Sequence, residues 1–112
     1  MNPRDIRSLD IGMLRTFDAL MRERSVSRAA ARLFLSQPAV SASLNRLREA
    51  FDDPLFTRNA HGVTPTPRAQ ALATQVEKVL ADIGALLDAG RAFDPAGSDR
   101  IFRVAGSDFA SR

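Results

Sequence analysis

The stretch over residues 27–51, SRAAARLFLSQPAVSASLNRLREAF, constrains the fold more than any other part of this chain. It reads as two short helices joined by a tight turn. Ser27 is the expected N-cap of the first, because its hydroxyl can accept from an orphan backbone N–H. The run behind it, residues 28–33, consists of strong helix formers. Phe34, Leu35 and Ser36 interrupt the run, and Ser36 then caps a second helix. Pro38 falls in that helix's first turn, where its missing N–H costs nothing. Val40, Leu44, Leu47 and Phe51 recur at spacings of 4, 3 and 4 and so share one face, the buried one. At ~100° per residue the opposite face carries Pro38, Ala42 and Asn45, flanked by Gln37, Ser41 and Arg46. Small and amide side chains of this kind fit a groove and can bond base edges. The pattern is that of a helix-turn-helix.

A helix-turn-helix needs a third helix to close its core, and the preceding segment supplies one. Asp10 can cap a helix running to about Glu23, with Leu14, Phe17 and Met21 on one side and Met13 and Leu20 beside them. Residues 22–25 then read as a polar link. Past the second helix of the motif, Pro54 restricts Asp53 to extended backbone and stops the helix. Residues 55–58 and 63–64 read as two short strands around the tip Asn59-Ala60-His61-Gly62, which makes a wing. Arg58 and the tip are expected to point toward whatever the second helix touches.

Thr66-Pro67 is a cap followed by a first-turn proline, opening a helix expected to reach about Phe93. Its positions Leu72, Val76, Val79, Ile83 and Leu86 keep a 4, 3, 4, 3 spacing, and Leu80 and Leu87 widen the stripe. Such a seam seeks a partner helix. The stripe is wide enough to lie partly on its own domain and partly on a second subunit. Residues 94–99 have linker composition, and residues 101–105 look like a lone strand, the expected start of a second domain.

Charge is unevenly placed. Residues 1–70 hold eleven arginines against seven acids, while the remainder holds five basic and six acidic residues. The basic character belongs to the helix-turn-helix half. There is no cysteine, and no apolar run approaches membrane-spanning length, so a soluble cytoplasmic protein without a membrane partner is expected. His61 is the single histidine, which makes a metal site improbable and a plain turn residue the more ordinary reading. No nucleophile elbow, phosphate loop or dinucleotide fingerprint is present, and Asp52-Asp53 is a helix-end pair, so no enzyme is expected.

The residues that carry these signals resemble a known family. Ser25-Val26-Ser27-Arg28-Ala29-Ala30, Leu33, Leu35-Ser36-Gln37-Pro38-Ala39-Val40-Ser41, Leu47-Arg48, Asp53-Pro54-Leu55-Phe56, Arg58 and Thr64-Pro65-Thr66-Pro67 are similar to the N-terminal domain of the LysR-type transcriptional regulators. The resemblance implies a mainly α fold, a winged helix-turn-helix of three helices and a two-stranded wing, followed by a long linker helix. It implies a division into residues 1–66 for DNA binding, 67–93 for the linker helix, and 94–112 for a hinge and the start of an effector-binding domain. The implied partners are double-stranded DNA, as an interrupted palindrome near a promoter, and a second copy of the chain in a homodimer or higher homo-oligomer. Any small-molecule effector would bind the missing C-terminal domain, and no cofactor is expected in this fragment.

Carried over position by position, Gln37, Pro38 and Ser41 resemble groove readers, and Ser27, Arg28 and Ser36 resemble backbone contacts at helix starts. Arg58 resembles the family's wing arginine, and His61 sits at the wing tip. Two departures stand out. Ala42 replaces an arginine or histidine common in relatives, which shifts weight to Asn45 and Arg46. Phe34 occupies a turn position usually held by glycine, asparagine or histidine, so either the turn avoids positive φ or Phe34 is strained there. The dimerisation seam would be Leu72, Val76, Val79, Ile83, Leu86 and Leu87. The rival reading is a protein-docking module, because winged helices also serve as interaction surfaces.

Overall fold

The computed structural model describes residues 5–92. After a single 3-10 turn at Ile6–Ser8 come α1 (Ile11–Glu23), α2 (Val26–Leu33), α3 (Gln37–Phe51), β1 (Phe56–Asn59), β2 (Gly62–Pro65) and α4 (Pro67–Ala92). This is the mainly α winged helix-turn-helix with a long following helix. The readings of residues 94–99 as linker and 101–105 as strand lie outside the described residues.

Local capping chemistry explains where the helices begin. Asp10 Oδ1 accepts from the Met13 N–H at 2.8 Å, Ser36 Oγ from the Ala39 N–H at 3.2 Å, and Thr66 Oγ1 from the Ala69 N–H at 3.1 Å. The start of α2 corrects the sequence reading. Ser25, not Ser27, is the N-cap, its Oγ accepting from the Arg28 N–H at 3.2 Å. Ser27 lies inside the first turn with its hydroxyl 3.1 Å from that of Ser25. The earlier start places Val26 on the buried side of α2. α1 ends at Glu23, where the sequence placed its end, so of the polar link read over residues 22–25 the first two residues are helical and Arg24, with φ 55°, is the C-cap.

Left-handed residues close each of the first three helices: Arg24, Phe34 (φ 58°) and Asp52 (φ 52°). At the end of α2 the Leu35 N–H reaches back to the Ala30 carbonyl at 2.9 Å, the outer bond of a Schellman turn. The turn therefore does use positive φ at Phe34, at a cost of about 1 kcal/mol for a residue with a side chain.

Three helix faces and the wing share one core. Met13, Phe17 and Leu20 of α1, Val26, Ala29 and Ala30 of α2, and Val40, Leu44 and Leu47 of α3 are buried together with Leu55, Phe56 and Val63. Phe17 and Phe56 meet edge to face, with ring centroids 5.5 Å apart and planes at 64°. That geometry adds ~0.5–1.5 kcal/mol to the burial of two aromatic rings. Buried Thr16 satisfies its hydroxyl on the Gly12 carbonyl at 3.0 Å.

In the wing, Phe56 faces Pro65, Thr57 faces Thr64, Arg58 faces Val63 and Asn59 faces Gly62 in antiparallel register. Ala60 and His61 form the two-residue connection. Leu55, expected in the first strand, instead precedes it with φ 63°, buried in a tight turn closed by a Phe56 N–H to Pro54 carbonyl bond of 2.6 Å. Asp53 organises this corner: its Oδ2 accepts from the Leu55 N–H and from Thr66 Oγ1, both at 2.8 Å. One carboxylate oxygen thus ties the end of α3 to the start of α4.

The chain divides into two compact units, Met1–Leu80 and Ala81–Arg112. In the first, Ala69 and Val76 of α4 belong to the core, and Leu72, Ala73 and Leu80 pack at its edge. In the second, the described residues are the last turns of α4, where Ile83 is half-buried and Leu86 and Leu87 are exposed. No helix among the described residues is long and apolar enough to cross a membrane.

Candidate nucleic-acid interface

The buried face of α3 fixes what its other face presents. Val40, Leu44 and Leu47 are at most 3% exposed, so the helix cannot rotate without exposing them. Gln37, Pro38, Ala42 and Asn45 consequently face out, with Ser41 half-buried between them and exposed Ser36 at the helix start. The surface offers amides, the hydroxyls of Ser36 and Ser41 and small apolar groups, and its carboxylate, Glu49, lies toward the far end of the helix.

The candidate arginines differ in how they are held. Arg46 Nη2 donates to Asp10 Oδ2 at 2.7 Å, but the side chains are 58% and 52% exposed. A pair so open to water is worth at most ~1 kcal/mol, which leaves Arg46 free to exchange Asp10 for a phosphate. Arg28 Nη2 donates to the Glu23 carbonyl at 3.2 Å with its Nε 3.7 Å from Glu23 Oε1, and Arg32 donates to Glu23 Oε2 at 2.8 Å. Arg58 stands exposed on β1, with no ion pair among the described residues. His61 is exposed on the wing loop, its N–H bonded to Asn59 Oδ1 at 2.8 Å. Among the described residues no cluster of three or more His, Cys, Asp or Glu could hold a metal.

Arg48, legible in the sequence only as part of the resemblance, has a bracing role that the sequence did not show. Its Nε donates to the Pro54 carbonyl at 2.8 Å, its Nη2 to the Phe56 carbonyl at 2.7 Å and its Nη1 to Asn45 Oδ1 at 3.1 Å. It bolts α3 to the base of the wing. No local signal could have found this, because two of its acceptors are main-chain carbonyls beyond the helix end.

The turn between α2 and α3 presents Phe34 at 93% exposure and Leu35 at 46%, so the Phe34 ring packs on nothing in its own domain. The proposed dimer seam is split. Val76 is only 5% exposed because the core of its own domain takes it, while Leu72 is half-buried at the same core's edge. Val79 is 40% exposed, Leu86 71% and Leu87 68%.

Residues 11–70 match the family model for bacterial regulatory helix-turn-helix proteins of the lysR family. Nodulation protein D 1 of Bradyrhizobium japonicum is 48% identical over 103 residues, covering 92% of this chain and 32% of that protein. The chain thus spans about a third of the length of the curated relatives it matches. Among solved structures, "probable transcriptional regulator PA0477" from Pseudomonas aeruginosa is 43% identical with a TM-score of 0.71, covering 80% of this chain and 30% of that one. The BenM DNA-binding domain, solved in complex with catB site 1 DNA, has a TM-score of 0.73 over 78% of this chain and 98% of that one. At 24% identity it supports the fold alone. With the family model spanning the whole helix-turn-helix and the wing, this chain belongs to the lysR family of bacterial regulatory helix-turn-helix proteins.

Proposed function

We propose that this chain is the sequence-specific, double-stranded-DNA-binding part of a LysR-type transcriptional regulator acting in the cytoplasm. In this reading α3 enters the major groove and the wing meets the flanking backbone or minor groove. The observation that carries it is the outward face of α3, where Gln37, Ser41 and Asn45 recur every four residues above a fully buried Val40, Leu44 and Leu47. A rigid helix with amides outward and almost no acid is built to read base edges. Ser27, Arg28, Ser36 and Arg46 serve as phosphate contacts beside it, with Arg58 and His61 on the wing.

The reading extends to assembly. Residues 1–66 form the DNA-binding domain and 67–93 the linker helix, which pairs with a second copy through Val79, Ile83, Leu86 and Leu87. Two copies would address an interrupted palindrome near a promoter, and residues 94–112 would lead into an effector-binding domain. A protein-docking role has one observation in its favour, the bare Phe34 ring in the turn.

Selection from a random duplex pool tests the proposal. It requires enrichment of a defined motif and an affinity that falls steeply with salt. A chain that enriches no sequence would favour the docking role.

A further inference from the structure

The point of α3 farthest from the core is an alanine. Val40 and Leu44 are at most 3% exposed, and Ala42, two residues from each, lies ~160° around the helix from both at ~100° per residue. It is exposed. Its one side-chain atom is a methyl carbon whose direction the backbone sets, so no rotamer change can turn it aside and the buried core holds it outward. Gln37, Ser41 and Asn45 lie to one side of it and Arg46 to the other. Polar groups thus flank an apolar centre.

A helix lying in the major groove brings the face opposite its core against the base edges, and the methyl group at that pole meets the base beneath it. Adenine, guanine and cytosine offer N6–H, N7, O6 or N4–H there, all of which bind water. A methyl group pressed on one of these displaces the water and replaces none of its hydrogen bonds, which is unfavourable. Thymine alone offers a 5-methyl group, which gains from leaving water. Resting on the DNA-binding reading above, we infer that Ala42 is a specificity-determining residue that reads a thymine through that methyl group. An alanine also has no side-chain rotamers to lose on binding, so the contact costs no ordering of a flexible chain.

The experiment uses the duplex that the chain itself selects from a random pool. Each thymine is replaced in turn by uracil, which differs only in lacking the 5-methyl group, and binding is measured for the unchanged chain and for Ala42→Gly. One replacement should weaken the unchanged chain about fourfold, the worth of one buried methyl group. The same replacement should cost Ala42→Gly far less, because no side chain remains to meet the group removed. Reselection with Ala42→Asn, whose amide pairs with adenine through N6 and N7, should remove thymine from that column. Circular dichroism checks that each variant folds, as substitutions at an exposed helix position should. The inference is overturned if no thymine carries a uracil penalty, or if every such penalty persists undiminished in Ala42→Gly. Retention of the same thymine by Ala42→Asn overturns it equally. An unchanged chain that selects no sequence overturns the DNA-binding reading itself, and this inference with it.

Discussion

The Val63 N–H donates to the Arg24 carbonyl at 3.0 Å, fastening the second strand of the wing to the turn between α1 and α2. The approach is so close that the neighbouring residue must be Gly62. It has φ 132°, and a Cβ built there would fall on the Arg24 carbonyl oxygen. Backbone that must pass this near another backbone, in a region open only to glycine, leaves no room for a side chain.

Gly62→Ala should accordingly destabilise the domain by at least ~1–3 kcal/mol. Thermal unfolding followed by circular dichroism would show a melting temperature lower by several degrees, on the order of 4–8 °C per kcal/mol for a domain of this size. An unchanged melting temperature would mean that the wing is not fastened there.

The two serines at the start of α2 should separate stability from binding. Ser25→Ala removes the cap and should cost ~1 kcal/mol of stability. Ser27→Ala removes an exposed first-turn hydroxyl and should leave the unfolding midpoint almost unchanged while weakening binding to all duplexes alike. Denaturant melts of both variants check the first half, and affinities on selected and random duplexes check the second.

These serines also show what the sequence could and could not tell. Caps at Asp10, Ser36 and Thr66 were legible because a cap involves a side chain and a backbone N–H three residues on, all within local sequence. Ser25 and Ser27 both satisfied that rule, and the choice between them fell to the core, which takes Val26. The left-handed Leu55 was not legible, because it is set by Asp53 acting at once on Leu55 and on Thr66, 13 residues away. The Arg46–Asp10 pair joins residues 36 apart in sequence. For the interface, the periodicity of α3 was enough to place Gln37 and Asn45 outward with Ser41 between them, whereas the states of Arg46 and Arg48 depended on Asp10, Pro54 and Phe56, partners no spacing reveals. A periodic stripe on α4 likewise does not say what covers it, and Val76 proved to be covered by its own domain.

That split in the α4 stripe makes a paired prediction. Ile83→Asp should place a charge in the contact proposed between copies and shift the chain toward monomer in sedimentation, with the melting of residues 5–80 little changed. Val76→Ala should do the reverse, leaving assembly intact while costing ~1–2 kcal/mol through a core cavity. An Ile83→Asp chain that sediments as the unchanged chain does would remove this helix from the interface.

The central claim, that α3 reads sequence while the wing anchors, is tested most directly by titrating Gln37→Ala and Arg58→Ala on a selected and a random duplex over a range of salt. Gln37→Ala should cost ~1–3 kcal/mol on the selected duplex and far less on the random one, with the salt slope unchanged. Arg58→Ala should weaken both duplexes alike and lower the slope of log affinity against log salt by about 1. Equal losses on both duplexes for Gln37→Ala, together with an altered base preference for Arg58→Ala, would contradict the account by reversing reader and anchor.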